Sequence, residues 1–253
     1  MQTGEHGFDY DRLRGEYGLR RRSDPRIERE LHAALGSAHS VLNAGAGTGS
    51  YEPRDRNVLA LEPSRRQRAQ RPPDAAPALS CGVDELPFDD DSFDASMALF
   101  SVHHWPDPAR GLRELRRVTR GPVLVLTFDP EAETQFWMGA FAPAMAEVDR
   151  RRYGPLERVC EALGGQPEVR PVLVPRDCRD SFQAALYARP EEFLSAETRA
   201  AQSAWAHLPE GEEQRIVSQL EEELASGEWD ERFGWLRSQP QIRCQLRLVV
   251  SPS

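Results

Sequence analysis

Short apolar runs alternate with amphipathic segments over the first half of the chain. Five such runs have the length of buried strands and end at glycine, proline or polar residues: 39–44, 57–62, 78–81, 93–100 and 122–128. Between the last two runs, Leu112, Leu115 and Val118 recur at helical spacing. Because buried runs alternate with helices, the pattern predicts a parallel, doubly wound α/β sheet.

Two further strands and a block of helices are predicted in the second half. The apolar run at 168–175 and the alternating segment at 242–250 indicate strands six and seven, and the residues between them have a helical pattern. A helix is also predicted over 26–35, and 129–153 is expected to be a helical stretch. The predicted division is an N-terminal helical cap (1–36), an α/β core (37–178), a helical insertion between strands six and seven (179–239) and a final core strand (240–253).

Charge and composition narrow the classes of function. The 253 residues include 41 acidic and 32 basic side chains, a formal net charge of −9, which argues against a nucleic-acid binder. Every basic residue is arginine, so chemistry through a lysine Schiff base is excluded. No apolar run is long enough for a membrane helix, and the four cysteines form neither a CxxC pair nor a metal-binding spacing. These features predict a cytoplasmic protein that contacts no membrane and holds no metal.

The first strand leads into a glycine-rich loop at Gly45, Gly47 and Gly49. Glycines let the backbone approach a ligand closely, and Glu62, at the end of the second strand, can accept hydrogen bonds from both ribose hydroxyls of an adenosine. The third position of a dinucleotide fingerprint is Ser50, and the following segment is a poor helix former that offers no phosphate site. The loop therefore favours an adenosine ligand without phosphates. The alternative function, an NAD-linked oxidoreductase, is supported by the glycines alone.

Four motifs follow one another in a familiar order: VLNAGAGTGS (41–50), ALEPS (60–64), LPFDDDSFDASMALFSVHHWPDP (86–108) and RELRRV (113–118). Over residues 8–165 the chain resembles class I S-adenosylmethionine-dependent methyltransferases of the UbiE-like, type 11 branch. The resemblance implies a doubly wound, Rossmann-like sheet of seven strands, the last antiparallel. It also implies S-adenosyl-L-methionine as cofactor and S-adenosyl-L-homocysteine as product.

The same resemblance assigns residues to the cofactor. Gly45 and Gly47, with Ala44 beside them, would lie along its methionine part. Glu62 would hold the ribose, and Pro63 would flank the adenine. The other implied contacts are Val83 and Asp84 at the adenine edge, Phe100 and Ser101 beside the methionyl ammonium, and Tyr17 and Arg21 in an N-terminal element that closes over the cofactor.

Two positions depart from the family pattern. Asn43 stands where an aspartate is usual, so its contact with the ammonium would be a neutral hydrogen bond. Gly82 stands where many relatives have an acid. An alternative function therefore stays open, namely a protein of the same fold that binds the cofactor without transferring methyl groups.

Candidates for the catalytic base follow strands four and five. His103 and His104 come directly after strand four, and a histidine that titrates near neutrality can take a proton from the methyl acceptor. His104 is the preferred base, although the alternative is that this loop simply packs Trp105. A structural role is favoured for His103. Asp129, after strand five, is a second candidate, with a helix N-cap as its alternative role.

Aromatic residues in 129–153 and in the insertion predict an apolar, lidded pocket for the methyl acceptor. We therefore expect a small, bulky or aromatic metabolite methylated on oxygen, nitrogen or carbon. The loop after strand four lacks the Asn-Pro-Pro-aromatic motif of enzymes that methylate nucleic-acid bases, so nucleic acid is not an expected partner. Monomer and homodimer stay open, and the insertion could serve as a lid or as an interface.

Overall fold

The computed structural model describes residues 22–253, so Tyr17 and Arg21 lie outside the described residues. Within this range, one sheet has the order β3-β2-β1-β4-β5-β7-β6. Its strands are β1 Ser40–Ala44, β2 Asn57–Leu61, β3 Ala78–Leu79, β4 Ala95–Leu99, β5 Val123–Phe128, β6 Glu168–Pro175 and β7 Gln241–Ser251. The pairs among β1 to β5 are parallel, and β7 is antiparallel to β5 and to β6. The predicted fold class is confirmed.

Helices cover both faces of this sheet. They are α1 Pro25–Ala34, α2 Arg65–Ala69, α3 Pro108–Arg117, α4 Met138–Phe141, α5 Pro143–Tyr153, α6 Glu157–Leu163, α7 Ala196–Ala200, α8 Glu212–Ser226 and α9 Glu228–Phe233. None of the helices in the described part of the chain is both long and apolar enough to cross a membrane.

Helices α1 and α3 begin with the same pair of residues. Asp24 and Asp107 cap the two helices by accepting the N–H groups of Arg26 and Arg110, and a proline follows each cap. An aspartate cap bonds the unpaired first-turn N–H groups, and proline has no N–H to leave unpaired there. These caps fix where each helix leaves its loop.

The stretch 129–153 is not one continuous helix. A turn follows β5, α4 lasts four residues, and Ala142 has φ −127° and ψ 83° before α5 begins. Pro143 explains the break, because a proline ring disfavours helical geometry in the residue before it. The break separates α5 from α4.

The region between β6 and β7 shares a hydrophobic core with α4 and α5. The indole of Trp137 donates to the carbonyl of Tyr187 at 3.1 Å and lies 5.4 Å, centroid to centroid, from the ring of Trp229. Both tryptophans are buried. The core on the other sheet face is formed by α3 and α6 with Leu112 and Leu163 among its residues. The helical block is thus packed against the sheet.

Candidate functional site

The glycine loop approaches the end of β4 too closely for any side chain at Gly45. A Cβ there would lie 2.5 Å from the Cβ of Ser101, and the residue has φ +68°. Ser101 fixes this approach because its hydroxyl donates to the carbonyl of Ala44 at 2.9 Å. Gly47, at φ +53°, turns its N–H towards Oε2 of Glu62 at 2.8 Å. The loop is held open at one edge of the sheet.

Glu62 is a buried carboxylate with oxygen lone pairs left for a ligand. Its Oε1 accepts the N–H of Ser64 at 2.8 Å, while Oε2 accepts that of Gly47. Burial raises the pKa of Glu62, and these two backbone hydrogen bonds partly oppose the shift. Because each carboxylate oxygen has two acceptor positions, the group can still take hydrogen bonds from a pair of hydroxyls.

A cavity of about 360 Å³ lies at this edge of the sheet, within the roughly 300–1,000 Å³ typical of small-molecule sites. Nine of the predicted site residues line it: Asn43, Gly45, Gly47, Glu62, Pro63, Val83, Phe100, Ser101 and His104. Ala44 and Asp84 are not part of its lining. The structure therefore brings together the strand ends, the glycine loop and His104, the preferred base.

Asn43 belongs to a buried network that the sequence did not reveal. Its Nδ2 donates to Oε1 of Glu52 at 2.9 Å, and Arg71 pairs with Glu52 at 2.7 Å. Both charged side chains are only 6% exposed, and Arg71 also donates to the carbonyl of Gly47 at 3.0 Å. Asn43 thus lines the cavity with its NH₂ group bonded to Glu52, and its Oδ1 is chemically a hydrogen-bond acceptor.

Gln67 is a second lining residue that the sequence did not single out. It lies in α2, and its Oε1 is buried without a hydrogen-bond partner among the described residues. A buried carbonyl oxygen without a partner is costly unless a ligand supplies a donor. Its position, five residues after Glu62 in the short helix that follows the ALEPS motif (60–64), is the signal that could have identified it.

The predicted bases are not all in one place. His104 lines the large cavity and also a second one, of about 60 Å³, whereas His103 lines the second cavity alone. Asp129 lines neither, and its Oδ1 accepts the N–H of Glu131 at 3.2 Å. Phe100 separates the two cavities with φ +54°, a strained value for a non-glycine residue.

The second cavity has aromatic walls. The ring of Phe182 lies 5.5 Å from that of Phe100, and the rings of Phe128 and Tyr153 are 5.3 Å apart. Because Phe100 and His104 line both cavities, the two adjoin at the end of β4. The sequence predicted an aromatic pocket but not its one acidic lining residue, Asp149 of α5.

Comparison with known proteins agrees with this geometry. Residues 42–125 match the family described as "Methyltransferase domain". A malonyl-acyl-carrier-protein O-methyltransferase of Halorhodospira halophila is 29% identical over 189 residues, which are 70% of this chain and 62% of the relative. A chloroplastic 2-methyl-6-phytyl-1,4-hydroquinone methyltransferase of Oryza sativa is 30% identical over 112 residues, 40% of this chain and 32% of the relative. The chain thus spans less than two thirds of the length of these curated relatives.

A solved structure matches over a larger share of the fold. A methyltransferase candidate from an antibiotic biosynthesis pathway of Anabaena variabilis has a TM-score of 0.83 and 28% identity, covering 92% of this chain and 99% of that one. The sheet, the glycine loop and these matches define a class I methyltransferase fold. Residues 42–125 match a methyltransferase domain, and the chain is similar in sequence and structure to the S-adenosylmethionine-dependent methyltransferases of that class, as the sequence motifs predicted.

The cavity residues fit S-adenosylmethionine, the cofactor of this family. The carboxylate of Glu62 suits the ribose hydroxyls, and Oδ1 of Asn43 suits an ammonium group. Gly45 leaves room for close approach, and the unpartnered oxygen of Gln67 offers one more acceptor at the cavity wall.

Proposed function

We propose that this protein transfers a methyl group from S-adenosylmethionine to a small, apolar or aromatic methyl acceptor. The observation that carries the proposal is the junction of the two cavities at Phe100 and His104. One cavity has the polar groups that an adenosine needs, and the other has aromatic walls. A methyl donor in the first and an acceptor in the second would meet at the end of β4.

When bound, the cofactor supplies a methyl group activated by a sulfonium centre. The residues of this chain provide position and a proton acceptor. Glu62 holds the ribose, the glycine loop lies along the methionine part, and Asn43 orients the ammonium group of that part. His104, at the junction, takes the proton that an oxygen or nitrogen methyl acceptor loses.

The enclosure of the second cavity supports a small methyl acceptor. Phe182 and Gln202, from the block between β6 and β7, line it together with Tyr153 of α5. The net charge of −9 disfavours nucleic acid as a partner. The four cysteines are free thiols, which suits a reducing compartment such as the cytoplasm.

The test is a methyl-transfer assay with a panel of phenols, aromatic amines and aromatic carboxylic acids, followed by mass spectrometry of products and of S-adenosylhomocysteine. His104→Ala should lower kcat roughly a hundredfold and leave S-adenosylhomocysteine affinity within about twofold. His39→Ala, at an exposed histidine just before β1, is the matched control and should leave both unchanged. Cofactor binding without any methylated product would instead favour a non-methylating protein of this fold.

A further inference from the structure

Among the described residues that line the small cavity, the acidic one is Asp149, in the second half of α5. Within residues 22–253 its carboxylate has neither a hydrogen bond nor an ion pair. Burial raises the pKa of Asp149 to about 6, although the positive charge of Arg152 lowers it somewhat. At neutral pH the group is mostly ionised, so the cavity wall contains a poorly compensated negative charge.

Two amide side chains that share this cavity are already bonded to protein atoms. Gln202 donates to the carbonyl of Ser181 and accepts from the indole of Trp205, both at 3.1 Å. Gln183 donates to the sulfur of Met145 at 3.2 Å. These bonds hold the two amides in place, and neither amide is hydrogen-bonded to the Asp149 carboxylate in the described part of the chain; Gln245 is a third amide in the lining.

Arg152 is near Asp149 but is committed elsewhere. Its guanidinium donates to the hydroxyl of Ser203 at 2.8 Å and lies 5.4 Å from the ring centroid of Tyr153. No nitrogen of Arg152 is within 4 Å of the Asp149 carboxylate in the described structure. Arg152 thus lines the same cavity as Asp149 without forming an ion pair with its carboxylate.

The aromatic walls suit a cationic ligand. The rings of Phe128, Tyr153 and Phe182 line the cavity, and the centroid of Phe128 lies 5.3 Å from that of Tyr153 and 6.0 Å from that of Phe182. The face of an aromatic ring attracts a cation, more strongly when water is excluded. An apolar body with a positively charged nitrogen would thus find both of its parts accommodated.

Asp149 and His104 line different parts of the site, so we expect them to have different functions. His104 lines both cavities, whereas Asp149 lines only the smaller one. A base must reach the atom that receives the methyl group, which lies at the junction. A charge that lines only the smaller cavity is suited to bind a part of the ligand away from that atom.

We infer that the small cavity binds a methyl acceptor that has a protonated nitrogen, and that Asp149 is the counter-charge for this nitrogen. The inference rests on the proposed function, since it deepens the description of the acceptor site. It assigns an aromatic or apolar amine as the class of substrate.

The test uses two probes of nearly equal shape, phenethylammonium and the neutral 2-phenylethanol, titrated into protein saturated with S-adenosylhomocysteine. We expect phenethylammonium to bind wild type about tenfold more tightly than the alcohol, and Asp149→Asn to remove that preference. Glu147→Gln is the control, because Glu147 is an exposed carboxylate of the same helix. It should leave both affinities unchanged.

The outcomes separate this inference from the proposed function. Equal affinities of the two probes, no saturable binding of phenethylammonium, or an unchanged preference in Asp149→Asn would each overturn the inference. The affinity for S-adenosylhomocysteine is measured first, on every variant. If wild type does not bind S-adenosylhomocysteine, the result counts against the proposed function. If Asp149→Asn still binds S-adenosylhomocysteine, this variant is folded.

Discussion

Asn43 illustrates how a single replaced residue is accommodated by its neighbours. An aspartate is usual here in the family that the motifs resemble, and the amide alone would make a weaker contact with an ammonium. In the structure, Glu52 accepts from the Asn43 amide at 2.9 Å and is itself paired with Arg71. The carboxylate of Glu52 is thus outside the cavity lining, where it holds the amide of Asn43, which is in the lining.

Restoring the family residue at position 43 should therefore be harmful in this chain. Asn43→Asp would place a second carboxylate against Glu52, and within residues 22–253 Arg71 is the arginine that pairs with this site. We expect the free energy of unfolding to fall by about 1–3 kcal/mol at pH 7, measured by urea denaturation.

The double variant Asn43→Asp with Glu52→Gln is the matching control. It removes the repulsion and gives the new carboxylate an amide donor, so it should recover most of the stability lost in the single variant. Equal stability of Asn43→Asp and wild type would show that the two side chains are not coupled.

Asp149 makes a prediction about pH. Its pKa is raised from 3.8 to about 6, so between these values the folded state binds more protons than the unfolded state and stability falls as pH rises. The asparagine of Asp149→Asn does not ionise, so this variant does not lose stability in that way as the pH rises. The variant should match wild type near pH 4 and exceed it above pH 6 by up to about 3 kcal/mol, in denaturation series at several pH values. A constant difference across the pH range would show that the carboxylate is not destabilised by burial.

At the level of elements, Arg71 joins segments that have no regular structure of their own. It bonds Gly47 in the glycine loop, Glu52 after that loop and the carbonyl of Ala76 just before β3. The chain between the glycine loop and β2 forms no helix, as the sequence predicted. The hydrogen bonds of the buried Arg71 therefore hold the glycine loop in place where no helix follows it.

Arg71→Met should therefore loosen the loop and leave Glu52 as an unpaired buried charge. The expected loss is about 3–5 kcal/mol of unfolding free energy, with weaker binding of S-adenosylhomocysteine. Arg54→Met is the comparison, since Arg54 pairs with Asp74 at the surface and its loss should cost less than about 1 kcal/mol. Similar losses in both variants would contradict the supporting role of Arg71.

The strands and the first cavity could be predicted because local patterns determine them. The apolar runs around Val41, Val58 and Val125 each lie within an observed strand, and the strand ends placed Glu62 at the correct edge. The break at Ala142 depends on the proline after it, which was visible but not weighed. Asp149 was missed because its role depends on tertiary neighbours rather than on its place in the helix.

At the level of the whole molecule, two cavities with different chemistry meet at one strained residue. Phe100 is held at positive φ, and its N–H donates to the carbonyl of Leu126 at 2.8 Å. Its ring then contributes to the boundary between the nucleoside site and the aromatic chamber. The helical block between β6 and β7 contributes Phe182 to the second cavity. The lining of this cavity therefore comes both from the end of β4 and from this block.

Because the two cavities have largely different lining residues, we predict that the smaller cavity can be altered while cofactor binding in the larger one is retained. Phe182→Ala removes a buried ring and should lower the free energy of unfolding by about 3–5 kcal/mol. Affinity for S-adenosylhomocysteine should stay within about twofold of wild type by calorimetry, because Phe182 does not line the larger cavity. A large loss of cofactor affinity in a variant that is still folded would mean that the two sites are not separable.

The most direct test of the account is calorimetric titration of wild type and Glu62→Ala with S-adenosylhomocysteine, with NADH as a control ligand. We predict micromolar binding by wild type, at least roughly tenfold weaker binding by Glu62→Ala because the carboxylate acceptor is gone, and no binding of NADH. Equal affinity in the two proteins, or no binding by wild type, would contradict the placement of the cofactor in the large cavity.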